Sequence, residues 1–405
     1  MRVLIVSQYF WPENFRINDL ASELASRGHA VTVLTGLPNY PSGQIFDEYL
    51  AATENFSDYK DVRIHRVPLV PRGKGALRLL LNYLSFPISA CLLGPWKLRG
   101  QKFDVVLTCQ LSPVTVGLPG AFLAWLKKAP MVMWVLDLWP DTLKAIGVVK
   151  SPKLLAFLDI LVGFIYRRCD LLWAQSRSFI PKIQLLAGPL VSVVYFPSWA
   201  EDLFSSEALL PAPEVPIKDE CFNVMFAGNV GRAQDFECIL SAATLLKEHT
   251  NIRWLIVGDG RMSAWVQAEI EQRGLAECVL MLGRHPVERM PEFYLHADAM
   301  LVTLSDQEIF SMTIPGKLQS YLAAGMPIIA ALNGEGADVV KSANAGLICA
   351  AGDAEGLAEN VLKMAALPLS ERQSMGKNGL KFSEREFDRQ MVVNMAEKYL
   401  SGLLK

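Results

Sequence analysis

Short hydrophobic runs of four to six residues alternate with longer amphipathic stretches along most of the 405-residue chain. Between the first two runs, residues 18–27 place their apolar side chains on one helical face and end at Gly28. Near-continuous apolar runs of this length are typical of a parallel sheet that helices cover on both faces. In the N-terminal half we predict strands at residues 3–6, 30–34, 62–67, 105–108, 131–135, 171–174 and 191–195.

A second series of alternating runs follows a segment, 198–220, in which prolines and acidic residues indicate an interdomain linker. Its predicted strands are residues 222–227, 254–257, 279–282, 300–303 and 327–330. We therefore predict an α/β protein with two Rossmann-like, doubly wound domains, residues 1–197 and 221–383, facing each other across a cleft. A C-terminal helix at 384–405 has no domain assignment from the pattern. Open α/β sheets bind ligands at the carboxyl ends of their strands, so the cleft is the predicted site.

The amino-acid composition excludes some classes of protein and disfavours others. Hydrophobic residues make up 51% and charged residues 20%, with a formal net charge of −2, which excludes a disordered chain and argues against nucleic-acid binding. Seven cysteines without a CxxC pair favour a reduced, cytosolic compartment and no zinc site. The small net charge hides an asymmetry: residues 1–200 carry 21 basic and 13 acidic side chains, and the remainder 18 and 28.

No segment is predicted to be a signal peptide or a membrane-spanning helix. The apolar run at the N-terminus is too short for a signal peptide and is interpreted as a buried strand. Of the three most apolar stretches, residues 76–94 contain an arginine and a proline, residues 105–126 are broken by prolines, and residues 154–165 are too short to span a bilayer.

A glycine-containing turn follows the first strand of the second series. Gly228, Asn229 and Gly231 lie in it, and Arg232 and Gln234 lead into the next helix. Glycines let the backbone approach a ligand closely, and a helix N-terminus offers free N–H groups to a phosphate. A tight strand-to-helix turn explains the same residues, so both interpretations stay open.

Two later turns add candidate residues. Gly258 and Asp259 follow the next strand and are a weak indication, because such turns are common in α/β domains. Lys317 lies in the first turn of a helix that begins near Pro315, where a cation is unfavourable unless an anion joins it. A solvated lysine is the alternative. With Arg232 at the same edge of the sheet, a diphosphate between two helix N-termini is the favoured interpretation.

These turns belong to motifs that resemble a known family in order and spacing. The motifs are FAGNVG at 226–231, LIVGDG at 255–260, LGR at 282–284, and IPGK at 314–317 followed by AGMP at 324–327. They resemble the C-terminal domain of family 4 glycosyltransferases, which are retaining enzymes of the GT-B fold. VSQYFWPE at 6–13, RGHAVTVLT at 27–35 and DLWPD at 137–141 are similar to the family's acceptor domain. The resemblance covers essentially the whole chain and is closest to bacterial enzymes of colanic-acid, O-antigen and capsule synthesis.

The resemblance implies a nucleotide-sugar donor, UDP- or GDP-linked, and neither a metal nor an organic cofactor. Arg232, Lys317 and helix N-terminal amides would stabilise the departing diphosphate. Donor contacts are implied for Gly228, Asn229, Gly231, Gln234, Gly258, Asp259, Gly283, Arg284 and Ser320.

The chain departs from the family at two pairs of positions. The family's Glu-x7-Glu pair falls on Met312 and Ser320, with Glu308 as a candidate replacement for the first glutamate. Its usual Arg and Lys fall on Asn229 and Gln234. The expected cations are therefore relocated, and recognition of the ribose and of the sugar stays open.

Asp137 is the candidate catalytic residue of the first domain. It follows the fifth predicted strand at the family's cleft position, where a His-Asp pair is common, and Leu136 stands in the place of the histidine. A carboxylate there could orient or deprotonate the acceptor hydroxyl. An N-cap for the segment that starts at Leu138 is the alternative. None of the five histidines is assigned to catalysis.

Residues 62–103 contain no acidic residue and interleave basic with apolar and aromatic side chains. This composition suits the surface of an anionic membrane, although a solvated basic face over an apolar core is the alternative. We predict a cytoplasmic protein bound peripherally to the inner membrane, with a polyprenyl-diphosphate-linked saccharide as acceptor. Predicted acceptor or membrane contacts are Asn14, Arg16, Arg72, Lys74 and Arg78.

Three functions compete at this point. The favoured one is transfer of a sugar, for example a 6-deoxy or N-acetylated hexose, to a saccharide acceptor. A nucleotide-sugar 2-epimerase or a phosphorylase of the same fold gives no reason for the acid-free stretch. A catalytically degenerate nucleotide-sugar-binding protein is suggested by Met312 and Ser320.

Overall fold

The computed structural model describes residues 1–41, 43–73, 75–145, 147–200, 203, 209–218 and 220–404. The chain divides into two compact units. The first comprises Met1–Pro197 and the C-terminal segment from Gln390, and the second comprises Ser198–Arg389.

The first unit is built on an eight-stranded sheet. Its strands are β1 Arg2–Ser7, β2 Ala30–Thr35, β3 Asp58–Tyr59, β4 Val62–Arg66, β5 Val105–Gln110, β6 Met131–Val135, β7 Leu171–Ala174 and β8 Ser192–Tyr195. They lie in the order β3-β4-β2-β1-β5-β6-β7-β8, and every pair except β3–β4 is parallel. The helices between them are α1 Arg16–Ser26, α2 Asp47–Ala51, α3 Ala76–Lys97, α4 Gly117–Lys127, α5 Asp141–Ala145, α6 Pro152–Tyr166 and α7 Phe179–Ala187.

The second unit is built on a six-stranded parallel sheet in the order β11-β10-β9-β12-β13-β14. Its strands are β9 Phe222–Ala227, β10 Ile252–Val257, β11 Val279–Gly283, β12 Ala299–Thr303, β13 Ile328–Ala331 and β14 Gly346–Cys349. The remaining helices are α8 Phe236–Leu245, α9 Ser263–Gln272, α10 Met290–Tyr294, α11 Glu308–Ser311, α12 Gly316–Ala323, α13 Glu335–Ala343, α14 Ala354–Ala366, α15 Leu369–Glu386 and α16 Arg389–Ser401.

The predicted α/β class with two doubly wound sheets is confirmed, and every predicted strand is present. Two strands, β3 and β14, were not predicted from the hydrophobic pattern, because they are short and incompletely buried. Each sheet reverses its strand order once, between β1 and β5 and between β9 and β12. Ligands of open α/β sheets bind beside such switch points at the carboxyl ends of the strands.

The C-terminal residues need one correction. Residues 384–386 complete α15, and the final helix starts only at Arg389, because buried Phe387 has a non-helical backbone with φ −128° and ψ 16°. Helix α16 then joins the first unit, where Glu397 accepts a hydrogen bond from Arg27 at 2.6 Å and lies 2.7 Å from His29. The predicted linker 198–220 belongs to the second unit, and its Ala212 and Val215 lie in that unit's core.

Helix α3 is long and apolar enough, by length and composition alone, to cross a membrane. Asn82, Phe86 and Ala90 on one of its faces are nevertheless buried. The Asn82 amide accepts hydrogen bonds from Gln8 and Tyr9, at 3.0 and 3.1 Å, and donates one to the carbonyl of Val70. We therefore interpret α3 as a packed helix of the first unit.

Candidate donor and acceptor sites

The loops after β9 and β10 pack backbone against backbone at the carboxyl edge of the second sheet. Gly228 and Gly258 have φ angles of 145° and 144°, a region that favours glycine. A Cβ atom on Gly258 would lie 1.8 Å from the carbonyl oxygen of Gly228, and one on Gly260 would lie 2.3 Å from that of Val230. This packing alone requires glycine at 258 and 260. Asn229 stands between the two loops, with its Oδ1 atom 2.7 Å from the same Cβ position on Gly260.

Lys317 lies in the first turn of α12 and reaches back to the end of β9. Its ammonium donates a hydrogen bond to Oε1 of Gln234 and stands 3.5 Å from the centroid of the Phe226 ring. Burial lowers the pKa of Lys317 well below its usual value. A Cβ atom on Gly228 would meet the lysine side chain at 3.4 Å. The structure thus brings together three predicted donor-site residues at the switch point of the second sheet: Gly228, Gln234 and Lys317.

Tyr321 connects α12 to strand β9 through hydrogen bonds, a role that the sequence analysis did not predict. The backbone N–H of Ala227 donates to the tyrosine hydroxyl at 2.8 Å, and the hydroxyl donates to the carbonyl of Ala227 at 3.0 Å. Tyr321 lies four residues after Lys317, hence on the same side of the helix. The only available indication was this spacing. The pair of hydrogen bonds fixes the start of α12 relative to β9.

The turn that contains Arg232 and Gln234 is held by the neighbouring strand. The Thr303 hydroxyl donates to the carbonyl of Gln234, and the Ser305 N–H donates to the carbonyl of Ala233 at 2.9 Å. Arg232 itself is exposed, and among the described residues its guanidinium has no acidic partner. The carboxyl edge of the second sheet therefore carries two cations, the exposed Arg232 and the partly buried Lys317.

Other predicted donor residues serve the local structure. Oδ1 of Asp259 accepts hydrogen bonds from the Gly260 N–H at 2.7 Å and the Ser263 hydroxyl at 2.6 Å, which lowers the pKa of Asp259. Gly283 ends β11 with a φ angle of 75°, and Arg284 is exposed beside it. In the described part of the chain, no group of three or more His, Cys, Asp or Glu residues could hold a metal ion.

Asp137 lies at the carboxyl edge of the first sheet and is enclosed by side-chain donors. Thr142 donates to Oδ1, and the Trp139 indole donates to Oδ2 at 3.2 Å and also lies 3.3 Å from the Ser112 hydroxyl. Gln110 donates to the backbone carbonyl of Asp137 at 2.7 Å. Burial raises the pKa of Asp137 to about 6 against the opposing effect of these donors. Because its partners are side chains, the carboxylate does not cap the turn that follows.

The sequence analysis missed Glu13, which joins two loops of the first unit. This buried carboxylate accepts backbone N–H bonds from Asn39 at 2.8 Å and Tyr40 at 2.7 Å through Oε1, and from Phe10 at 3.2 Å through Oε2. Burial outweighs these donors and raises the pKa of Glu13 to about 7. The residue lies within the motif at 6–13, but its partners in the loop after β2 could not be read from the sequence.

An aromatic cluster lies beside Glu13. The rings of Tyr9, Phe15 and Tyr40 are 5.3 to 5.8 Å apart, and the Arg72 guanidinium is 5.8 Å from the Tyr40 centroid. These ring contacts pack the loop after β1 against the loop after β2.

The predicted acceptor and membrane residues occupy different places in the first unit. Asn14 is exposed just before α1, Arg16 begins that helix, and Arg72 belongs to the aromatic cluster. Arg78 is exposed in the first turn of α3. Lys74 lies outside the described residues.

Two family models match the chain in sequence order. The model of the glycosyl transferase 4-like domain matches residues 14–199, and that of the glycosyl transferases group 1 matches residues 212–382. The chain belongs to the family 4 glycosyltransferases. The resemblance inferred from the motifs is thereby confirmed, and with it the GT-B fold.

Curated relatives of this glycosyltransferase come from bacteria. It is 25% identical to the putative colanic acid biosynthesis glycosyl transferase WcaI of Escherichia coli, over 80% of this chain and 82% of that protein. It is 26% identical to the probable glycosyltransferase WbjE of Pseudomonas aeruginosa, over 71% and 73%. The fold is similar to that of Anabaena HepE, solved in complex with UDP and glucose, with a TM-score of 0.69, 15% identity and coverage of 99% and 100%.

The glycosyltransferase lacks the family's pair of glutamates, and the residues in their place have local roles. Ser320, at the second position, is buried in α12, and its hydroxyl lies 3.4 Å from the carbonyl of Gly316. Glu308 is exposed at the start of α11, and Met312 follows that helix. A contact of Ser320 or Glu308 with the donor stays a prediction.

Proposed function

We propose that the protein is a retaining hexosyltransferase of surface polysaccharide synthesis. It moves a sugar from a nucleoside diphosphate to a polyprenyl-diphosphate-linked saccharide, or to another saccharide acceptor. The observation that carries this proposal is the placement of Lys317 between the N-terminus of α12 and the turn that contains Arg232 and Gln234. The name of the Escherichia coli relative, a putative colanic acid biosynthesis glycosyl transferase, supports the polysaccharide context.

The donor half of the reaction follows from the electrostatics of Lys317. The Lys317 ammonium has a lowered pKa and an amide oxygen as its polar partner, and among the described residues no carboxylate forms an ion pair with it. A diphosphate at this edge would supply a counter-anion, and the free N–H groups of α12 would add donors. Because negative charge on the diphosphate grows as the glycosidic bond breaks, these groups stabilise the transition state more than the bound donor. We propose that they do so without a metal or an organic cofactor.

A panel of nucleotide sugars tests the donor site. The preferred UDP- or GDP-linked sugar should raise the melting temperature by mass action, and sugars of the other base should do so less. The complex of Anabaena HepE with UDP makes the UDP-linked sugars the first to measure. If no nucleotide sugar or free nucleoside diphosphate shifts the melting temperature, the proposed site is wrong.

Asp137 is proposed to orient or deprotonate the acceptor hydroxyl, which attacks the anomeric carbon from the face that the diphosphate leaves. With a pKa of about 6, its carboxylate is mostly ionised at neutral pH and becomes protonated as the pH falls through 6. We expect kcat/KM to fall on the acid side of pH 6 in the wild type. In Asp137→Asn we expect a rate lower by about two orders of magnitude, without that acid limb. An unchanged pH profile in the variant would show that the carboxylate acts only in folding.

The membrane contact proposed for residues 62–103 is tested by charge reversal. Each basic residue near an anionic surface contributes roughly 1 kcal/mol to binding, so Arg72→Glu with Arg78→Glu should weaken binding to phosphatidylglycerol vesicles at least about tenfold. Lys377→Glu, an exposed substitution in the second unit, is the matched control and should bind normally. Equal vesicle binding by the two variants in a flotation assay would contradict the contact.

Two other functions remain as outcomes of the activity assay. A nucleotide-sugar 2-epimerase would convert the donor without an acceptor, and a degenerate binding protein would shift its melting temperature with the donor but release no nucleotide. The degenerate binding protein is an alternative because Met312 and Ser320 stand in the place of the family's two glutamates. Release of nucleoside diphosphate only in the presence of acceptor supports the transferase.

A further inference from the structure

Helices α3, α4 and α6 form one layer on the first sheet, and the outer side of the layer is apolar. From β4 to β5, β6 and β7 the chain moves in one direction along the sheet, so right-handed crossovers place the three connecting helices on the same face. A helix over a sheet normally turns polar residues outward. The large exposed apolar side chains include Leu77, Leu80, Leu84, Ile88, Leu92 and Trp96 on α3 and Leu154, Phe157, Ile160 and Phe164 on α6.

A groove of about 990 Å³ lies between α4 and α6 within this layer. Its walls include Leu118, Phe122, Trp125 and Phe164, and Arg168 stands at its border. Trp125 is 74% exposed and Phe164 is 42% exposed, so the groove opens to the outside along its apolar wall. Apolar surface of this extent on a soluble domain marks a binding site.

Cations beside aromatic rings border the layer where its helices end. The Arg99 guanidinium lies 5.2 Å from the ring centroid of Trp96 after α3, and that of Arg168 lies 3.6 Å from the ring of Phe164 after α6. Exposed Lys128 follows α4, close to Trp125. Aromatic rings and cations in this arrangement are typical of side chains at the boundary between lipid headgroups and acyl chains.

The charges favour a lipid surface over a second copy of the chain. Residues 62–136 contain a single acidic residue, Asp104, and it forms an ion pair with Arg2. The acid in the groove lining, Asp170, accepts the Met131 N–H at 2.8 Å, and Asp159 on α6 is partly buried. A two-fold interface formed by this face would place cations near cations. Anionic headgroups would neutralise them.

We propose that the outer face of α3, α4 and α6 rests on an anionic bilayer and that the α4–α6 groove takes one hydrocarbon chain of a bilayer lipid. This deepens the proposed membrane contact, which was assigned to residues 62–103 only, and rests on it. The groove lies at the amino edge of the sheet, because its lining residue Met131 begins β6, whereas Asp137 follows the other end of that strand. Five residues of strand separate these edges by roughly 17 Å, so the groove does not open beside Asp137, and we assign it to a lipid of the bilayer on which this face rests.

Quenching of tryptophan fluorescence tests the groove. The probe is vesicles of phosphatidylglycerol and phosphatidylethanolamine whose acyl chains are brominated near the headgroup. Because the chain has nine tryptophans, Trp125→Phe is needed to isolate the contribution of Trp125. We expect brominated chains to quench wild-type protein more than Trp125→Phe at equal vesicle binding. Equal quenching of the two proteins would overturn the occupancy of the groove.

Vesicle affinity provides the second measurement. Phe164→Glu should lower binding at least about tenfold, whereas Leu369→Glu, at a site in the second unit that is 59% exposed, should leave it unchanged. If wild type, Phe164→Glu and Leu369→Glu bind vesicles equally, the proposed role of the groove is wrong, but the proposed contact by residues 62–103 is not contradicted. No vesicle binding by the wild type would overturn both, and dimerisation without lipid that buries Trp125 would assign the face to a second copy. Nucleotide-sugar binding, measured by thermal shift, is independent of these outcomes and keeps the test of sugar transfer separate.

Discussion

Replacing Lys317 with alanine is expected to lower kcat/KM for sugar transfer by roughly two to three orders of magnitude, the usual cost of removing one group that stabilises developing negative charge. Lys317 is partly buried against Phe226 and hydrogen-bonded to Gln234, so its ammonium is held in place at this edge of the sheet. The affinity for the donor should fall less than the rate, because the diphosphate gains charge only as it leaves.

Two control variants make this result specific. Lys341→Ala removes an exposed lysine from α13 of the same unit and should leave both rate and melting temperature unchanged. Lys317→Met keeps the length of the side chain without its charge and should be as inactive as the alanine variant while folding normally. Near-wild-type turnover in Lys317→Met would contradict an electrostatic role and reduce Lys317 to a packing residue.

Replacing Glu13 with alanine is expected to lower the free energy of unfolding of the first unit by about 3 kcal/mol or more. Three backbone N–H groups, of Phe10, Asn39 and Tyr40, lose their acceptor, and an unsatisfied buried group costs roughly 1–3 kcal/mol. Urea unfolding monitored by circular dichroism measures the change. Glu48→Ala, an exposed substitution in α2, is the matched control and should change stability by less than about 0.5 kcal/mol.

Glu13 also predicts how stability depends on pH. Its pKa is raised from 4.5 to about 7, so between these values the folded protein binds more protons than the unfolded chain. The pH-dependent part of the free energy of unfolding that comes from Glu13 is therefore largest below pH 4.5 and is lost as the pH rises through 7. Glu13→Gln should remove this part of the slope. A slope that is the same in the two proteins would show that the carboxylate is not the titrating group.

The sequence pattern predicted the two sheets because their strands are nearly continuous apolar runs, and such runs are a local property. Lys317 could also be found locally, since a cation in the first turn of a helix is unusual enough to require an explanation. Tyr321 and Glu13 could not, because each acts through partners far away in the chain: Ala227 is 94 residues from Tyr321, and Asn39 is 26 residues from Glu13.

Asp137 shows a different limit of sequence analysis. Its two interpretations, a residue that acts on the acceptor and an N-cap, differ only in which donors surround the carboxylate. The side-chain donors Thr142 and Trp139 decide against the cap, and they follow from how the turn after β6 folds back on itself. The apolar outer faces of α4 and α6 were likewise hidden, because buried and exposed leucines or phenylalanines look the same in a sequence.

The central claim is that a sugar leaves a diphosphate held by Lys317 and is joined to a saccharide acceptor. The most direct test incubates the purified protein with its preferred nucleotide sugar and a lipid-linked saccharide extracted from bacterial membranes, and measures nucleoside diphosphate and glycosylated lipid together. The account predicts equal amounts of the two products, none without acceptor, and neither with Lys317→Met. Turnover of the donor without acceptor, or glycosylated lipid formed at the wild-type rate by Lys317→Met, would contradict it.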